Sequence, residues 1–272
     1  MERIRQAIQR ARAQRAALGG SNSGLLAGDV PKGLPDDLSH VGTQNVELPF
    51  ATLRQNRVVS AFEPCSFTEA FKILSTRVSK ALRAESLSTL GVTSPWEGEG
   101  KSIVAVNLAI SLAMEFQQTA LLVDADMRHP RVREYLGLPA GPGLSDHLLA
   151  DVPVESILVS PRGIDRFIVL PGGKPQLHSS EMLGWRKMWE LVDELKSRYA
   201  TRIVVFDLPP LLAAADVLAF ESHIEAALLV VEEGNARRDD VVRAAELFTS
   251  TRLIGTVLNK SKERVVSVYG TY

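Results

Sequence analysis

Residues 92–102 read VTSPWEGEGKS, and the fold of the chain can be worked out from this one loop. Its last three letters, Gly100-Lys101-Ser102, are the end of a phosphate-binding loop, which is usually spelled G-x-x-x-x-G-K-[ST]. The first glycine of that spelling is replaced here by Pro95. The residues around the loop must therefore show whether it binds a nucleotide.

The loop stands between a buried strand and an apolar helix. The strand is STLGVTS (88–94), and the helix is predicted over 101–116. In this setting small residues let backbone N–H groups converge on phosphate oxygens, and the helix N-terminus adds positive potential. A dinucleotide fingerprint fits less well, because its third glycine position is Ile103. We predict a nucleotide site formed by Gly98, Glu99, Gly100, Lys101, Ser102 and Ile103.

Beyond the loop, short apolar runs alternate with helical patterns. Apolar runs without polar alternation are typical of strands buried on both faces, as in a parallel sheet. The runs lie at 119–126, 166–171, 201–207, 226–233 and 253–260, and further helices are predicted at 67–84, 181–199, 213–221 and 237–250. This order predicts an α/β fold with a doubly wound, mostly parallel sheet, helices on both faces, and ligands at the carboxyl ends of the strands.

Carboxylates stand at the carboxyl ends of two of these strands. LLVDAD places Asp124 and Asp126 two residues apart, hence on one side of an extended chain, and IVVFD ends on Asp207. Close carboxylates repel unless a cation or a proton lies between them, and Mg²⁺ on nucleotide phosphates is the natural cation. Ser102 and Asp207 are expected to hold Mg²⁺, and Lys101 to reach the phosphates. Either acid of the pair can also accept a proton from an attacking hydroxyl; solvated turn aspartates are the alternative.

Three further polar residues lie at or after the ends of strands. Asn259 ends the last strand, where Asn-Lys-x-Asp would read guanine, but Lys262 replaces that aspartate. Asn259 is therefore expected to hydrogen-bond adenine, which makes ATP the predicted nucleotide. Arg128 either holds a phosphate or an acidic partner, or is an ordinary surface arginine. Asp216 caps or follows a short helix, and capping is the expected role.

Composition excludes several classes of protein. The 272 residues carry a formal net charge of −1, which argues against a nucleic-acid binder. The single cysteine, Cys65, excludes an internal disulfide framework and is expected to be a small buried residue rather than a reactive thiol. No run is long and apolar enough to span a bilayer, and the start lacks a secretory signal. We expect a cytoplasmic protein, held at the inner face of the membrane by other means if it works there.

The chain divides into four parts. Residues 1–18 form an arginine-rich amphipathic helix, which can lie on anionic lipid, dock on a partner or fray in solvent. Residues 19–64 are rich in Gly, Pro, Ser and Asp and are predicted to be a linker that partly wraps the core. Residues 65–262 are the phosphate-loop domain, and 263–272 are a tail with two tyrosines.

Together these segments resemble the bacterial tyrosine kinases (BY-kinases) of exopolysaccharide and capsule synthesis. The most specific piece is LLVDADMRHPRVREYLGL followed by GPGLSDHL, similar to that family's Walker A′ segment and its sequel. FDLPP is similar to its Walker B segment, LPGGKPQLHSSEML to its substrate-side loop and VLNK to its base-recognition strand. The resemblance implies a phosphate-loop NTPase fold of the MinD type and covers the chain from about Glu69 onward.

The resemblance also implies an activity, an ATP-dependent protein-tyrosine autokinase that regulates polymer chain length and export. Asp124 would be the base that accepts the tyrosine proton, and Asp126 and Asp207 would hold Mg²⁺. Tyr269 and Tyr272 would be acceptors phosphorylated between subunits of a homo-oligomer. The arginine-rich start is similar to cytoplasmic members that pair with a membrane chain-length protein, which would provide peripheral membrane association.

A rival function is a MinD/ParA-like ATPase switch. Those proteins carry K-G-G-x-G-K-[ST], whose first lysine reaches across a nucleotide-bound dimer. Trp96 stands at that position here, which favours the kinase. A catalytically weak ATP-binding adaptor of the export machinery is a further alternative.

Overall fold

The computed structural model describes residues 43–60, 66–115, 118–197 and 202–262. The predicted arginine-rich helix, Cys65 and both tail tyrosines lie outside the described residues.

The described residues form one sheet, and their helices lie between strands along the chain. The strands are β1 (Gln44–Glu47), β2 (Thr89–Thr93), β3 (Thr119–Asp124), β4 (Val159–Arg162), β5 (Phe167–Leu170), β6 (Arg202–Asp207), β7 (Ala226–Glu232) and β8 (Arg252–Asn259). The helices are α1 (Phe50–Gln55), α2 (Ser66–Ala84), α3 (Lys101–Ala113), α4 (Val132–Leu136), α5 (Leu144–Ala150), α6 (Val154–Ile157), α7 (Ser179–Leu183), α8 (Arg186–Ser197), α9 (Asp216–Phe220) and α10 (Arg238–Glu246). A 3₁₀ turn, Glu221–His223, follows α9.

The strand order across the sheet is β1-β4-β5-β3-β6-β2-β7-β8. Neighbouring strands run parallel except β4 and β5, which pair antiparallel. The carboxyl ends of β3, β6, β2 and β7 therefore meet at one edge of the sheet, where the phosphate loop follows β2. The predicted α/β fold with a mostly parallel sheet is confirmed.

Each central strand buries alternate residues in two cores, one on each face of the sheet. In β3, Ala120 and Leu122 belong to one core, and Leu121 and Val123 belong to the other. Side chains of α2 and α3 fill the first core, and those of α7 to α10 fill the second. Because both faces are covered, these strands read as continuous apolar runs, as the sequence indicated.

Some elements differ from the sequence prediction. The segment predicted as a linker contributes β1 and α1, and β4 lies in a stretch where no strand was predicted. The helix expected at 181–199 is two helices, α7 and α8, which are separated at Gly184 and Trp185. None of the helices within the described ranges combines the length and hydropathy needed to cross a bilayer.

Candidate functional site

The loop between β2 and α3 depends on two glycines in a left-handed conformation. Gly98 has φ 82° and Gly100 has φ 92°, values that side-chain-bearing residues rarely adopt. Gly100 is also the residue that precedes the first turn of α3, and a Cβ at this position would collide with the side-chain amide of Asn259. Position 100 therefore requires glycine for both conformation and space.

Contacts from β8, β7 and α10 hold the loop in place. Asn259 Nδ2 donates to Glu99 O at 2.8 Å, and the indole Nε1 of Trp96 donates to Asp240 Oδ2 at 3.0 Å. The Glu99 carboxylate is buried and accepts from the backbone N–H of Trp96 at 2.8 Å. Burial raises the pKa of Glu99, although the backbone N–H groups of Trp96 and Glu232 work in the opposite direction. Asn259 thus hydrogen-bonds to the backbone of the loop. The hydrogen bond from Asn259 to adenine stays a prediction.

The structure brings the three predicted carboxylates together at the carboxyl ends of β3 and β6. Asp124 and Asp207 are register partners in these neighbouring strands. Both are fully buried, and Asp126 is 2% exposed. Carboxylates buried this close need a cation nearby, because water does not screen their repulsion.

Lys101 provides that positive charge from the start of α3. Its Nζ lies 2.6 Å from Asp126 Oδ2, 3.9 Å from Asp207 Oδ1 and 3.3 Å from Ser102 Oγ. Burial works to lower the pKa of Lys101, but the charges of Asp207 and Asp126 outweigh it and raise the pKa. The lysine is therefore cationic across the physiological range.

One lysine does not offset three carboxylates, and their pKa values reflect this. Burial, followed by the charge of Asp207, raises the pKa of Asp124 well above its ordinary value. Burial also raises the pKa of Asp207 to about 6, against the opposing pull of the Lys101 ammonium. Perturbed carboxylates in one cleft are typical of sites that bind cations or transfer protons.

The polar atoms left without partners fit a cation. Both carboxylate oxygens of Asp207 and Oδ1 of Asp124 are buried and have no hydrogen-bond partner. Within the described ranges, no three metal-ligating side chains are arranged to hold an ion by themselves. Buried carboxylate oxygens without hydrogen-bond partners suit Mg²⁺, which takes one or two protein carboxylates and completes its shell with phosphates and water.

Asp124 is oriented by residues that follow it along the chain. Its Oδ2 accepts from the backbone N–H of Val132, the first residue of α4, at 3.0 Å. The loop after β5 packs over it, since a Cβ on Gly172 would lie 3.2 Å from Asp124 Cγ. One carboxylate oxygen is thus fixed, and Oδ1 remains unpaired.

Arg128, for which an acidic partner was one of the predicted alternatives, forms an ion pair beside the site with Asp216, a partner that the sequence did not indicate. Asp216 is fully buried and accepts from Arg128 Nε at 2.9 Å and from the Ser179 hydroxyl. The capping role expected for Asp216 is wrong, because it is the first residue of α9 and Ala215 is at the cap position. The pair joins the turn after Asp126 to α7 and α9, and only a contact across 88 residues reveals it.

Sequence comparison finds relatives that are tyrosine-protein kinases. No family model matches the chain. The tyrosine-protein kinase YwqD of Bacillus subtilis is 30% identical over 221 residues, which cover 80% of this chain and 92% of YwqD. The tyrosine-protein kinase CpsD of Streptococcus agalactiae is 28% identical over 186 residues, covering 67% of this chain and 79% of CpsD. A larger relative, the tyrosine-protein kinase Wzc of Salmonella typhi, is 28% identical, but the match spans 31% of its length.

Solved structures agree. The chimerical protein CapA2B2 superposes with a TM-score of 0.69 at 28% identity, covering 81% of this chain and 94% of that one. The kinase domain of VpsO has a TM-score of 0.62 at 26% identity, with 72% and 98% covered. MinD of Pyrococcus horikoshii, solved with Mg-ADP, shares the fold at a TM-score of 0.54 and 23% identity, with 64% and 72% covered. Because YwqD is 30% identical over 92% of its own length and 80% of this chain, and the kinase domain of VpsO superposes on it, the chain belongs to the bacterial tyrosine-protein kinase family.

Proposed function

We propose that this chain is an ATP-dependent protein-tyrosine autokinase that regulates the chain length and export of an exopolysaccharide or capsule. The observation that carries the proposal is the cluster in which Lys101 lies between Asp126 and Asp207 at the phosphate loop, with Asp124 beside it. One relative, the succinoglycan biosynthesis transport protein ExoP of Rhizobium meliloti, is 29% identical over 232 residues, or 28% of its length. Its name supports the link to polysaccharide export.

The cluster can hold a magnesium–nucleotide complex. The backbone of Gly98 to Ser102 and the Lys101 ammonium would bind the β and γ phosphates, and Ser102, Asp126 and Asp207 would hold Mg²⁺. When bound, Mg²⁺ neutralises the charge that develops on the transferred phosphoryl group. The buried oxygens of Asp207, which lie near the Lys101 ammonium but have no hydrogen-bond partner, support this assignment, because a buried acceptor without a hydrogen bond costs stability unless it serves a ligand.

Asp124 is the proposed base. Its Oδ2 is fixed by the Val132 N–H, so Oδ1 is the oxygen that accepts the phenolic proton of the tyrosine. The phenolic oxygen then bonds to the γ-phosphorus, the bond from that phosphorus to the bridging oxygen breaks, and ADP leaves. Burial raises the pKa of Asp124, which brings a carboxylate closer to the pKa that proton transfer near neutral pH requires.

The acceptors and partners belong to the same proposal. Tyr269 and Tyr272 are the proposed phosphoacceptors, modified between subunits of a homo-oligomer. A membrane chain-length protein is the proposed partner and would keep the kinase at the inner face of the membrane. The near-neutral net charge supports a protein partner rather than nucleic acid.

The test is to incubate the purified full chain with ATP and Mg²⁺, alone and with the cytoplasmic segment of a candidate membrane partner, and to map phosphate by mass spectrometry. Phosphate on Tyr269 or Tyr272 is expected, and it should be lost in Lys101→Met. Lys80→Met, which changes an exposed lysine of α2, is the matched control and should retain it. ATP hydrolysis without phosphotyrosine would contradict the kinase and favour a nucleotide switch or an adaptor.

A further inference from the structure

Residues 43–60, called the strap here, contact both of the helices that begin at the candidate site. These helices are α3, which follows the phosphate loop, and α4, which follows the Asp124 strand. Leu53 and Val58 of the strap are each 1% exposed and lie in the same apolar core as Val132 and Leu136 of α4. The strap is therefore part of the domain's core.

Asn107 fastens the strap to α3. Its side chain is fully buried, and its Oδ1 accepts from the backbone N–H groups of Val59 at 2.9 Å and Ser60 at 3.1 Å. Its Nδ2 donates to Arg57 O at 3.1 Å. The buried side-chain amide of Asn107 accepts with its oxygen and donates with its nitrogen. A shift of the strap would leave buried donors or acceptors unpaired, so the amide fixes the strap in place.

Asn56 fastens the strap to α4. Its Nδ2 donates to the carbonyl oxygens of Glu134 at 3.0 Å and Tyr135 at 3.2 Å. These carbonyls lie in the last turn of α4, where C=O groups lack their regular intrahelical partners, and Glu134 O also accepts from the Gly137 N–H at 3.1 Å. Gly137 ends α4 at φ 65°, and a Cβ there would lie 2.5 Å from Pro49 Cγ of the strap.

The other end of α4 holds Asp124. The helix has five residues, fewer than an isolated helix needs to be stable, so its position depends on what it contacts. At its start, the Val132 N–H donates to Asp124 Oδ2 at 3.0 Å. At its end, Asn56 of the strap donates to the carbonyl oxygen of Glu134, and Gly137 packs against Pro49 of the strap. Asn56 and Asp124 are thus joined by one short helix.

We propose that Asn56 is a positioning residue for phosphoryl transfer: through α4 it fixes the orientation of the Asp124 carboxylate. The inference rests on the proposed role of Asp124 as the base. The strap thereby acts on the chemistry as well as on the fold. Small misplacements of a catalytic group are costly, since about 1 Å can reduce rate ~100-fold.

The decisive variant is Asn56→Asp, which keeps the shape of the side chain but replaces the amide donor by an acceptor that repels the α4 carbonyls. We expect kcat for tyrosine phosphorylation to fall roughly tenfold or more, with the KM for ATP changed less than about twofold, because the phosphate loop is untouched. Asn56→Gln keeps the donor and should recover part of kcat. Gly137→Ala disturbs the same contact from the α4 side and should reproduce the loss.

Asn45→Asp is the matched control, because it makes the same chemical change on an exposed residue of β1 in the strap. All variants are assayed below their melting temperatures, which are measured in parallel. A lowered Tm with unchanged kcat in Asn56→Asp and Gly137→Ala would show that Asn56 is structural only and overturn the inference. A rise in KM without a fall in kcat would overturn it as well.

Asp124→Asn is assayed alongside to separate this inference from the proposed function. If Asp124→Asn phosphorylates normally, the proposed base is wrong and the inference falls with it. If Asp124→Asn is inactive while Asn56→Asp has full kcat, the positioning role alone is wrong.

Discussion

Lys101 Nζ lies 2.6 Å from Asp126 Oδ2, so the lysine of the phosphate loop, which follows β2, is paired with a carboxylate that follows β3, two strands away in the sheet. A nucleotide has to draw the ammonium away from Asp126 to use it. The Asp126 carboxylate also repels phosphate oxygens unless a divalent cation lies between them. Binding of the nucleotide and of its metal should therefore be strongly linked.

The first prediction concerns this pair. Asp126→Asn should tighten ATP binding in EDTA by about tenfold, because Lys101 is released and one repulsive charge is removed. The same variant should transfer phosphate poorly with Mg²⁺. Titration of a fluorescent ATP analogue in EDTA measures the first effect, with Asp165→Asn, an exposed aspartate, as the control. Equal or weaker binding by Asp126→Asn would contradict the competition for Lys101.

Asp124→Asn should lower the phosphorylation activity and at the same time raise the stability of the fold. Losing the base should lower the phosphorylation rate by about 10²–10⁴-fold with little change in nucleotide affinity. Because burial and the charge of Asp207 raise the pKa of Asp124, the neutral amide should also stabilise the fold by about 1 kcal/mol. Phosphotyrosine mass spectrometry and denaturant unfolding measure the two effects. A variant that is both active and less stable would be inconsistent with a strained catalytic carboxylate.

Glu225 predicts a pH dependence of stability at the opposite end of the strands. Burial works to raise the pKa of Glu225, but hydrogen bonds from Lys196 and from the backbone of Ser88 and Thr89 lower it to about 2. A depressed carboxylate pKa contributes stability that is full above the unfolded value and is lost as pH falls through the folded one. The contribution should therefore be complete above pH ~4.5 and decline toward pH ~2.

Glu225→Gln should lower the free energy of unfolding by about 1–2 kcal/mol at pH 7, a figure reduced for the 29% exposure of the Glu225 side chain. The difference from the unmodified chain should shrink as the pH drops below ~4.5. Chemical denaturation across this range measures it. Glu190→Gln, an exposed glutamate bonded to Arg186, is the control and should change stability little at any pH. A constant difference across the range would argue against an ionised Glu225 as the cause.

The ion pair of Arg128 and Asp216 predicts an asymmetric mutational response. Arg128→Met leaves a fully buried carboxylate unpaired and should cost about 2–4 kcal/mol, less than a wholly buried pair because the Arg128 side chain is 38% exposed. The double variant Arg128→Met with Asp216→Asn should recover part of that loss, since no buried charge remains. A double-mutant cycle of unfolding free energies measures the coupling. Simple additivity would show that the two residues do not act as a pair.

The central strands and the phosphate loop between β2 and α3 could be predicted from sequence, because strands buried on both faces are runs of consecutive apolar residues. β3 and β6 are covered on both faces and read as unbroken apolar runs that end in aspartate. The meeting of Asp124, Asp126 and Asp207 follows from that pattern, since parallel neighbours end at the same edge.

The missed elements are those whose positions depend on distant partners. β1 reads QNVE and is largely exposed, so only its pairing with β4 makes it a strand. β4 contains Pro161 and lacks a period, and it is held between β1 and β5. The residues around Asp216 in the sequence do not indicate that Arg128 pairs with it. Those around Asn259 do not indicate that its side-chain amide contacts the phosphate loop. Long-range contacts of this kind are outside what periodicity and capping patterns can express.

The contact between Asn259 and the phosphate loop has an evolutionary consequence. Gly100 has no room for a side chain because the amide of a residue 159 positions later occupies the space that a Cβ would take. A lineage that keeps Asn259 must therefore keep the glycine, while one that replaces Asn259 by a smaller residue gains room at position 100 but still needs a residue that adopts a φ of 92°. The glycine before Lys101 in the phosphate loop is thus constrained by a residue of the last strand of the sheet.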